Sequence, residues 1–285
     1  VPLVLLATFN LCPDGEPGGD LLVAALAERG IESRWVCWDD PGIDWPAADL
    51  VAVRATWDYQ RRHAEFVDWA HAVERSTPFL NGADVFAWNA DKAYLLELAE
   101  RVPVVPTALV DDRTLVPGLR AAVERHGPVV IKPRTGASGV GVVVLESVED
   151  PRLQGLTRGP WVVQPLVESV RTRGETSVYV LDGRAVAQLH KQPGGAEIRV
   201  HELYGGETRA VDLDEASAAV ALAAMEGAAT VLGSSLDYGR VDLVEHDGRL
   251  VVGEVELIEP GLYLDVLPGL AEPFADLVAA RLPGT

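Results

Sequence analysis

In the stretch "VVIKPRTGASGVGV", residues 129–142, a hydrophobic run ends on Lys132 and Pro133 and opens into a loop with three glycines. A lysine at the end of a buried strand needs an anionic partner or a route to solvent. Gly136, Gly139 and Gly141 let successive backbone N–H groups converge on the oxygens of an anion. Together they point to a phosphate chain. The order is not that of a P-loop, where the lysine follows the glycines, nor the strand–GxGxxG–helix order of a dinucleotide site. A tight hairpin would use the same glycines, so this stretch does not decide the matter alone.

A second constellation supports it. In "RVDLVEHDGRLVVGEVELIEP", residues 240–260, strand alternation puts Arg240 and Asp242 on one face of the first strand. Glu254 and Glu256 share one face of the second, with Val255 and Leu257 on the other. A turn near Asp247-Gly248 sets the strands side by side; pairing Asp242 with Glu254 fits a loop of odd length, and a one-residue slip would spoil it. Three carboxylates on one surface repel each other unless cations sit among them. Mg²⁺, bound jointly by carboxylates and phosphates, is the natural choice. The alternative is a solvated acidic face. The apolar flanks of the second strand and Arg240 on the same side weigh against it.

Further pieces could complete such a site. In "WVVQPLVE" a strand ends at Gln164-Pro165, where backbone groups could read an adenine edge. Glu168 and Glu175 follow, either placed to take a ribose hydroxyl pair. Lys191, beside His190, could bring another cation to a transferring phosphate. In "RATWDY", Arg54 could hold a carboxylate while Trp57 and Tyr59 wall a small pocket, although the two aromatics could equally be interdomain packing.

These residues need elements to position them. The first third alternates strands ("VPLVLLAT", "ESRWVCW", "LVAVRA") with helices ("DLLVAALAERG", "RRHAEFVDWAHAVERS"), which predicts a small α/β layer on a parallel sheet. A helix is expected over "NADKAYLLELAER", then a strand, the helix "LVPGLRAAVERHG" and the lysine-bearing strand. From Glu175 the pattern turns antiparallel, with hairpins at Asp182-Gly183 and Asp247-Gly248 around an alanine-rich helix. A last helix is expected from about Glu272 to Leu282.

Composition bounds the partners. The 285 residues carry a formal charge of -19, which argues against nucleic-acid backbone binding. No apolar run is expected to span a bilayer. Two cysteines without metal-ligand spacing fit a reduced, cytoplasmic compartment. The expected partner is a small-molecule substrate.

Taken in order, "NADKAYLLELA", "VVIKPRTGASGVGV", "WVVQPLVE", "GETSVYVLDG", "GRVDLV" and "EVELIEP" resemble the ATP-grasp superfamily, and within it the glutathione synthetase/RimK-like branch. The likeness covers nearly the whole chain. It implies an α/β and α+β architecture: a substrate-side pre-domain over 1–88, a small lobe over 89–167 and a large lobe over 168–285, the two lobes enclosing ATP. By the same resemblance Lys92 and Lys132 contact ATP phosphates, and the loop holding Thr135, Gly136, Ser138 and Gly139 closes over them. Gln164, Leu166 and Val167 form the adenine hinge, and Glu168 or Glu175 takes the ribose. Asp242, Glu254 and Glu256 bind two Mg²⁺ ions, while Arg240, with Lys132 and Lys191, stabilises the transferring phosphate. Glu256 departs from the asparagine usual in glutathione synthetases, and "PGLY" after Glu259 replaces their Thr/Ser-rich substrate loop. The implied activity is a carboxylate–amine ligase working through an acyl phosphate. The chain is also similar to the ring-closing ATP-grasp ligases of D-cycloserine biosynthesis, whose substrate is O-ureido-D-serine. Amino-acid or dipeptide ligation, a kinase that stops after phosphoryl transfer and a non-catalytic nucleotide-binding regulator stay open as alternatives; a homodimer is what relatives suggest.

Overall fold

The computed structural model describes residues 1–195 and 197–282. Strands β1 (Leu3–Thr8), β2 (Glu32–Cys37) and β3 (Leu50–Ala55) form a parallel sheet in the order β2-β1-β3, with α1 (Gly19–Glu28) as the first crossover. β1 and β3 are nearly continuous apolar runs because both faces of this sheet are covered. Helix α2 (His63–Glu74) packs Phe66 and Trp69 against Trp38 and Phe79 on one side. The final helix, α8 (Ala271–Arg281), returns to lie on α1 at the other.

The small lobe is an antiparallel sheet of β4 (Ala108–Val110), β5 (Val129–Pro133), β6 (Val143–Leu145) and β7 (Trp161–Pro165), ordered β4-β7-β5-β6. Helix α5 (Leu115–His126) seals one face through Leu119, which clusters with Val129, Ile131, Leu145 and Val163. The other face keeps Lys132.

The large lobe is a five-stranded antiparallel sheet of β8 (Glu175–Leu181), β9 (Arg184–Gln192), β10 (Glu207–Val211), β11 (Tyr238–His246) and β12 (Arg249–Glu256), ordered β10-β9-β8-β11-β12. One face buries Val178, Val180, Val241, Leu243, Val252 and Val255 against α7 (Glu215–Leu232) and α4 (Tyr94–Leu98). That leaves the opposite face for the polar residues.

Three expectations change. Residues 89–101 are not one helix of the small lobe: α3 (Ala83–Asn89) and the short α4 flank a non-helical break, and α4 packs on α7 of the large lobe. Tyr94, Leu95 and Leu98 are the cause, since their apolar side chains join the large-lobe core. The packing therefore divides nearer residue 108 than residue 89. Second, α7 is long and apolar enough to cross a membrane by length and composition. Instead it lays Ala221, Ala224, Met225 and Ala228 against the sheet, as a core helix does.

The third change concerns register. Both hairpins close in two-residue turns, with Asp182 and Gly183, and Asp247 and Gly248, all at positive φ, so the loops are even rather than odd. Continued regularly from His246↔Arg249, the ladder would set Asp242 opposite Gly253. An extra residue, Gly253, is bulged out between the pairs Leu243↔Val252 and Asp242↔Glu254 and restores the expected partner. Val186 does the same in the other hairpin, where the register shifts between Tyr179↔Ala187 and Val180↔Ala185 and brings Lys191 opposite Glu175.

Candidate active site

The two bulges put one polar lattice on the open face of the large-lobe sheet. Across the strands, Lys191 faces Glu175; next, Ser177, Asp242 and Glu254 stand in a row; then Tyr179, Arg240 and Glu256. Arg240 binds Asp242 with a two-pronged fork at 2.9 and 2.8 Å, and its Nη2 reaches Glu256 at 2.6 Å. Ser177 donates to Asp242 at 2.6 Å. Lys191 lies 3.5 Å from Glu175 and 3.9 Å from Asp242. His190, on the other face, instead contacts the Arg173 carbonyl at 2.7 Å.

Lys92 arrives from outside the sheet. β12 is an edge strand whose free backbone groups need partners. Asn89 bonds the Val255 carbonyl and the Leu257 amide, and the Tyr94 hydroxyl bonds both backbone groups of Val255. Lys92 sits between these two anchors, so its ammonium meets Glu254 at 2.6 Å and the Gly136 carbonyl at 2.8 Å. Lys132 approaches the same carboxylate at 3.9 Å from the small lobe. Asp91 and Arg134 form an ion pair alongside, with Nε at 2.8 Å from Oδ1.

The loop with Thr135, Gly136, Ser138 and Gly139 bends over this cluster. Ser138, Gly139 and Gly141 take positive φ, and Gly139 comes so near Arg199 and Tyr204 of the large lobe that a Cβ there would lie 3.1 and 3.3 Å from them. The hinge is partly committed: Gln164 donates to the Thr107 hydroxyl at 2.9 Å, the Leu166 amide to the Pro128 carbonyl at 2.9 Å, and the Val167 carbonyl accepts from Val170 at 3.1 Å. The Leu166 amide is thus not placed to read a base. Of the two ribose alternatives, Glu175 is absorbed into the charged lattice. The Glu168 side chain stays 62% exposed beside Arg171.

Two substrate expectations do not hold. Arg54 is fully buried and saturated by Glu16 and the Pro260 carbonyl, so it has no face left for a substrate carboxylate. Tyr59 is buried with its ring 5.1 Å from Phe66, as core packing. Trp57 is half-buried and donates to the Glu259 carbonyl at 3.3 Å. Strand alternation from Glu175 could have found Ser177 and Tyr179. Glu16, in a loop with no periodicity, offered no such signal.

Mutual neutralisation sets the charge states. Burial works against ionisation of Asp242, but Arg240 and Lys191 overcome it and hold the carboxyl below its ordinary range. Glu254 is held low against burial by Lys92 and Lys132. Burial pushes the Lys132 ammonium down, with Glu254 opposing. Burial and the nearby Asp242 charge lift Glu175 to about 7.

Burial, with the Glu256 charge adding to it, lifts the Glu259 carboxyl to about 8. The folded chain therefore holds this proton more tightly than the unfolded chain, whose glutamates titrate near ~4.3. Stability from this group is complete below that lower value and falls as pH rises to about 8. Glu259→Gln should flatten the fall in melting temperature across that window; parallel pH profiles for wild type and variant would refute the assignment.

Asp242, Glu254 and Glu256 offer oxygen ligands on adjacent register positions, which suits a hard divalent cation. Among the described residues no three metal-ligating side chains converge closely enough to hold an ion. Each carboxylate is occupied by a basic side chain instead. As oxygen donors the three would suit Mg²⁺. Lys92 and Lys132 would have to exchange Glu254 for an incoming phosphate chain, and Arg240 would have to share Asp242 and Glu256 with the ion.

Comparison with known proteins gives the family and the fold in which this arrangement sits. Residues 4–81 match the N-terminal domain of D-cycloserine synthetase DcsG, and residues 90–263 match the RimK-like ATP-grasp domain. The chain is 34% identical over 279 residues to the cycloserine biosynthesis protein DcsG of Streptomyces lavendulae, covering 92% of each. A probable alpha-L-glutamate ligase of Rhodopirellula baltica is 33% identical over 197 residues, 63% of this chain and 45% of that one. The crystal structure of D-cycloserine synthetase DcsG superposes with a TM-score of 0.87 at 31% identity, over 98% of this chain and 99% of that one. The D-alanine–D-alanine ligase of Bacillus anthracis shares the fold, with a TM-score of 0.70 at 14% identity over 98% and 97%. ATP-grasp ligases use ATP and Mg²⁺ to join a carboxylate to an amine, which is the chemistry for which lysines, an arginine fork and three carboxylates on one face are suited. The chain belongs to the RimK-like ATP-grasp family and is an ATP-dependent carboxylate–amine ligase.

Proposed function

We propose that this enzyme activates the carboxylate of O-ureido-D-serine as an acyl phosphate and closes it to D-cycloserine. The observation that carries the reading is the likeness to DcsG across both the pre-domain and the ATP-grasp lobes, rather than the lobes alone.

Lys92, Lys132 and the 135–141 loop bind the phosphate chain, Gln164 and Val167 flank the base, and Glu168 takes the ribose. Asp242, Glu254 and Glu256 would hold the Mg²⁺ ions, two on this reading, which would supply charge neutralisation on the phosphate oxygens. A substrate carboxylate oxygen forms a bond to the γ-phosphorus, the bond to the β-phosphate bridge breaks, and ADP leaves. Arg240 and Lys191, held in place by Asp242, Glu256 and Glu175, would offset the charge developing on the transferring phosphoryl oxygens. The oxygen-bound ureido nitrogen then bonds to the acyl carbon as phosphate departs. The carbamoyl group leaves as CO₂ and NH₃, one water being consumed. Orientation by the closed lobes, rather than a covalent side-chain nucleophile, supplies the rest.

The test is ADP and phosphate release with Mg²⁺-ATP across amino acids, dipeptides and O-ureido-D-serine, with product mass recorded. Release triggered by O-ureido-D-serine with D-cycloserine formed is the expected result. Release only with amino-acid or dipeptide pairs would move the enzyme to peptide-forming ligation, the reading the glutamate-ligase relative favours.

A further inference from the structure

Arg54 and Glu16 form an ion pair that solvent does not reach, their side chains 0% and 1% exposed. Burying two charges is costly, and such pairs are weak devices for stability alone. This one grips a turn in another part of the chain. Arg54 binds Glu16 Oε1 through Nε at 3.2 Å and Nη2 at 3.1 Å, and Nη2 also donates to the Pro260 carbonyl at 2.6 Å. Glu16 Oε2 accepts from the Leu262 amide at 2.6 Å. The pair thus holds the carbonyl before Gly261 and the amide after it. Phe274 supports the guanidinium from behind, 4.7 Å from ring centroid to Cζ.

Other groups fix the same turn. Trp57 bonds the Glu259 carbonyl, and the Tyr179 hydroxyl bonds the Gly261 carbonyl at 2.5 Å. Tyr179 stands directly opposite Arg240 in the lattice. At the end of the turn, Tyr263 is held at positive φ with its ring 5.4 Å from the Lys191 ammonium. For a bulky residue that backbone is strained and persists only when its surroundings enforce it. Along β12, Glu254 meets the phosphate-side lysines, Glu256 lies two residues further on, and the turn follows beyond it. The turn therefore borders the site on the side of Arg240 and Lys191, the residues assigned above to the transferring phosphate, which is where that reading puts the acyl group and its nucleophile.

We infer that Glu16 and Arg54 are positioning residues for the second half-reaction: through the Glu259–Tyr263 turn they hold the acyl carbon for the amine-type nucleophile and against water. The inference rests on the ligase reading above. In the productive step the nitrogen bonds to the acyl carbon and the C–O bond to phosphate breaks. In the failed step a water oxygen bonds there instead, returning carboxylate and phosphate after ADP has been spent.

The test is the ratio of coupled product to ADP in Arg54→Lys and Glu16→Gln, with ATP affinity and melting temperature recorded alongside. Arg54→Lys keeps the charge but not the fork. We expect ATP affinity to stay near wild type while product per ADP falls by about tenfold or more, since a misplacement of ~1 Å can cost ~10²-fold. Equal loss of ADP and product, or an unchanged ratio, overturns the proposal, because a purely structural role would scale both together. Should both variants fail to bind ATP, Trp57→Phe decides: it removes one bond to the same turn, and a ratio equal to wild type overturns the proposal. Wild-type enzyme that makes no D-cycloserine would overturn the ring-closing reading alone. The ratio is then measured with whichever amino acid or dipeptide triggers ADP release.

Discussion

Arg240→Ala is expected to lower product formation by ~10³-fold or more, the upper range for losing one preorganised donor to a developing oxyanion. The cost exceeds one hydrogen bond because Arg240 does two jobs. It faces the site, and it is the common partner of Asp242 and Glu256, which lie on neighbouring strands. Removing it leaves Asp242 with Ser177 and a lysine 3.9 Å away, and strips Glu256 of its 2.6 Å contact. Breaking a buried pair in this way typically costs about 3–5 kcal/mol of stability. Arg240→Lys separates the two jobs. A lysine keeps the charge but cannot fork onto Asp242 while reaching Glu256, so stability should largely return while turnover stays ~10²-fold down. Turnover of Arg240→Lys within a fewfold of wild type would mean that a point charge suffices and the fork is incidental. Denaturant melts and steady-state ADP release on the same preparations distinguish these outcomes.

The second large effect has an unusual sign. Glu254→Gln should reduce turnover by ~10³-fold if Glu254 is the Mg²⁺ ligand proposed above, since the substitution would remove one carboxylate from the face that neutralises transferring phosphate. In Mg²⁺-free buffer, however, the same variant should bind ATP more tightly than wild type. Glu254 is the internal counterion of Lys92 at 2.6 Å and Lys132 at 3.9 Å, so a phosphate chain must displace it. Its side chain is 27% exposed, and solvent screening limits that competition to about 1 kcal/mol, or roughly fivefold in affinity. Added Mg²⁺ should help wild type far more than the variant, because the proposed site couples metal and nucleotide through this one carboxylate. Calorimetric titration of ATP with chelator and with Mg²⁺ measures both. Weaker Mg²⁺-free binding in Glu254→Gln would show that the carboxylate organises the lysines rather than competing for them.

Much of this site was legible residue by residue. Lys132, Arg240, Asp242, Glu254 and Glu256 could be picked out because charge at a strand end and period-two alternation are local properties that a sequence displays directly. Lys92, which joins them in one cluster, came only from the family resemblance. The pre-domain was read less well. Arg54 looked like a ligand because it ends a strand before an aromatic loop, whereas its partner Glu16 lies 38 positions away and the turn it grips 206 away. No local pattern announces a pairing at that separation. The break between α3 and α4 was missed for a related reason: Asn89 and Tyr94 are fixed by the free edge of β12, which only the assembled sheet provides.

The register shows most clearly where the sequence stops. By itself it determined the two Asp-Gly turns, the strands on either side and the alternation that keeps Glu254 with Glu256 and Arg240 with Asp242. From the sequence, pairing Asp242 with Glu254 implies an odd loop; the turn is in fact two residues long, and a regular ladder from it would oppose Asp242 to Gly253, with the glutamates on the wrong face. The tertiary structure chose otherwise because Val241, Leu243, Val252, Val255 and Leu257 must be buried together against α4 and α7. A regular ladder would have driven Glu254 and Glu256 into that apolar layer, at several kcal/mol for each unpaired charge. One unpaired glycine in a bulge is the smaller cost, and it is what turns the carboxylates toward the lysines.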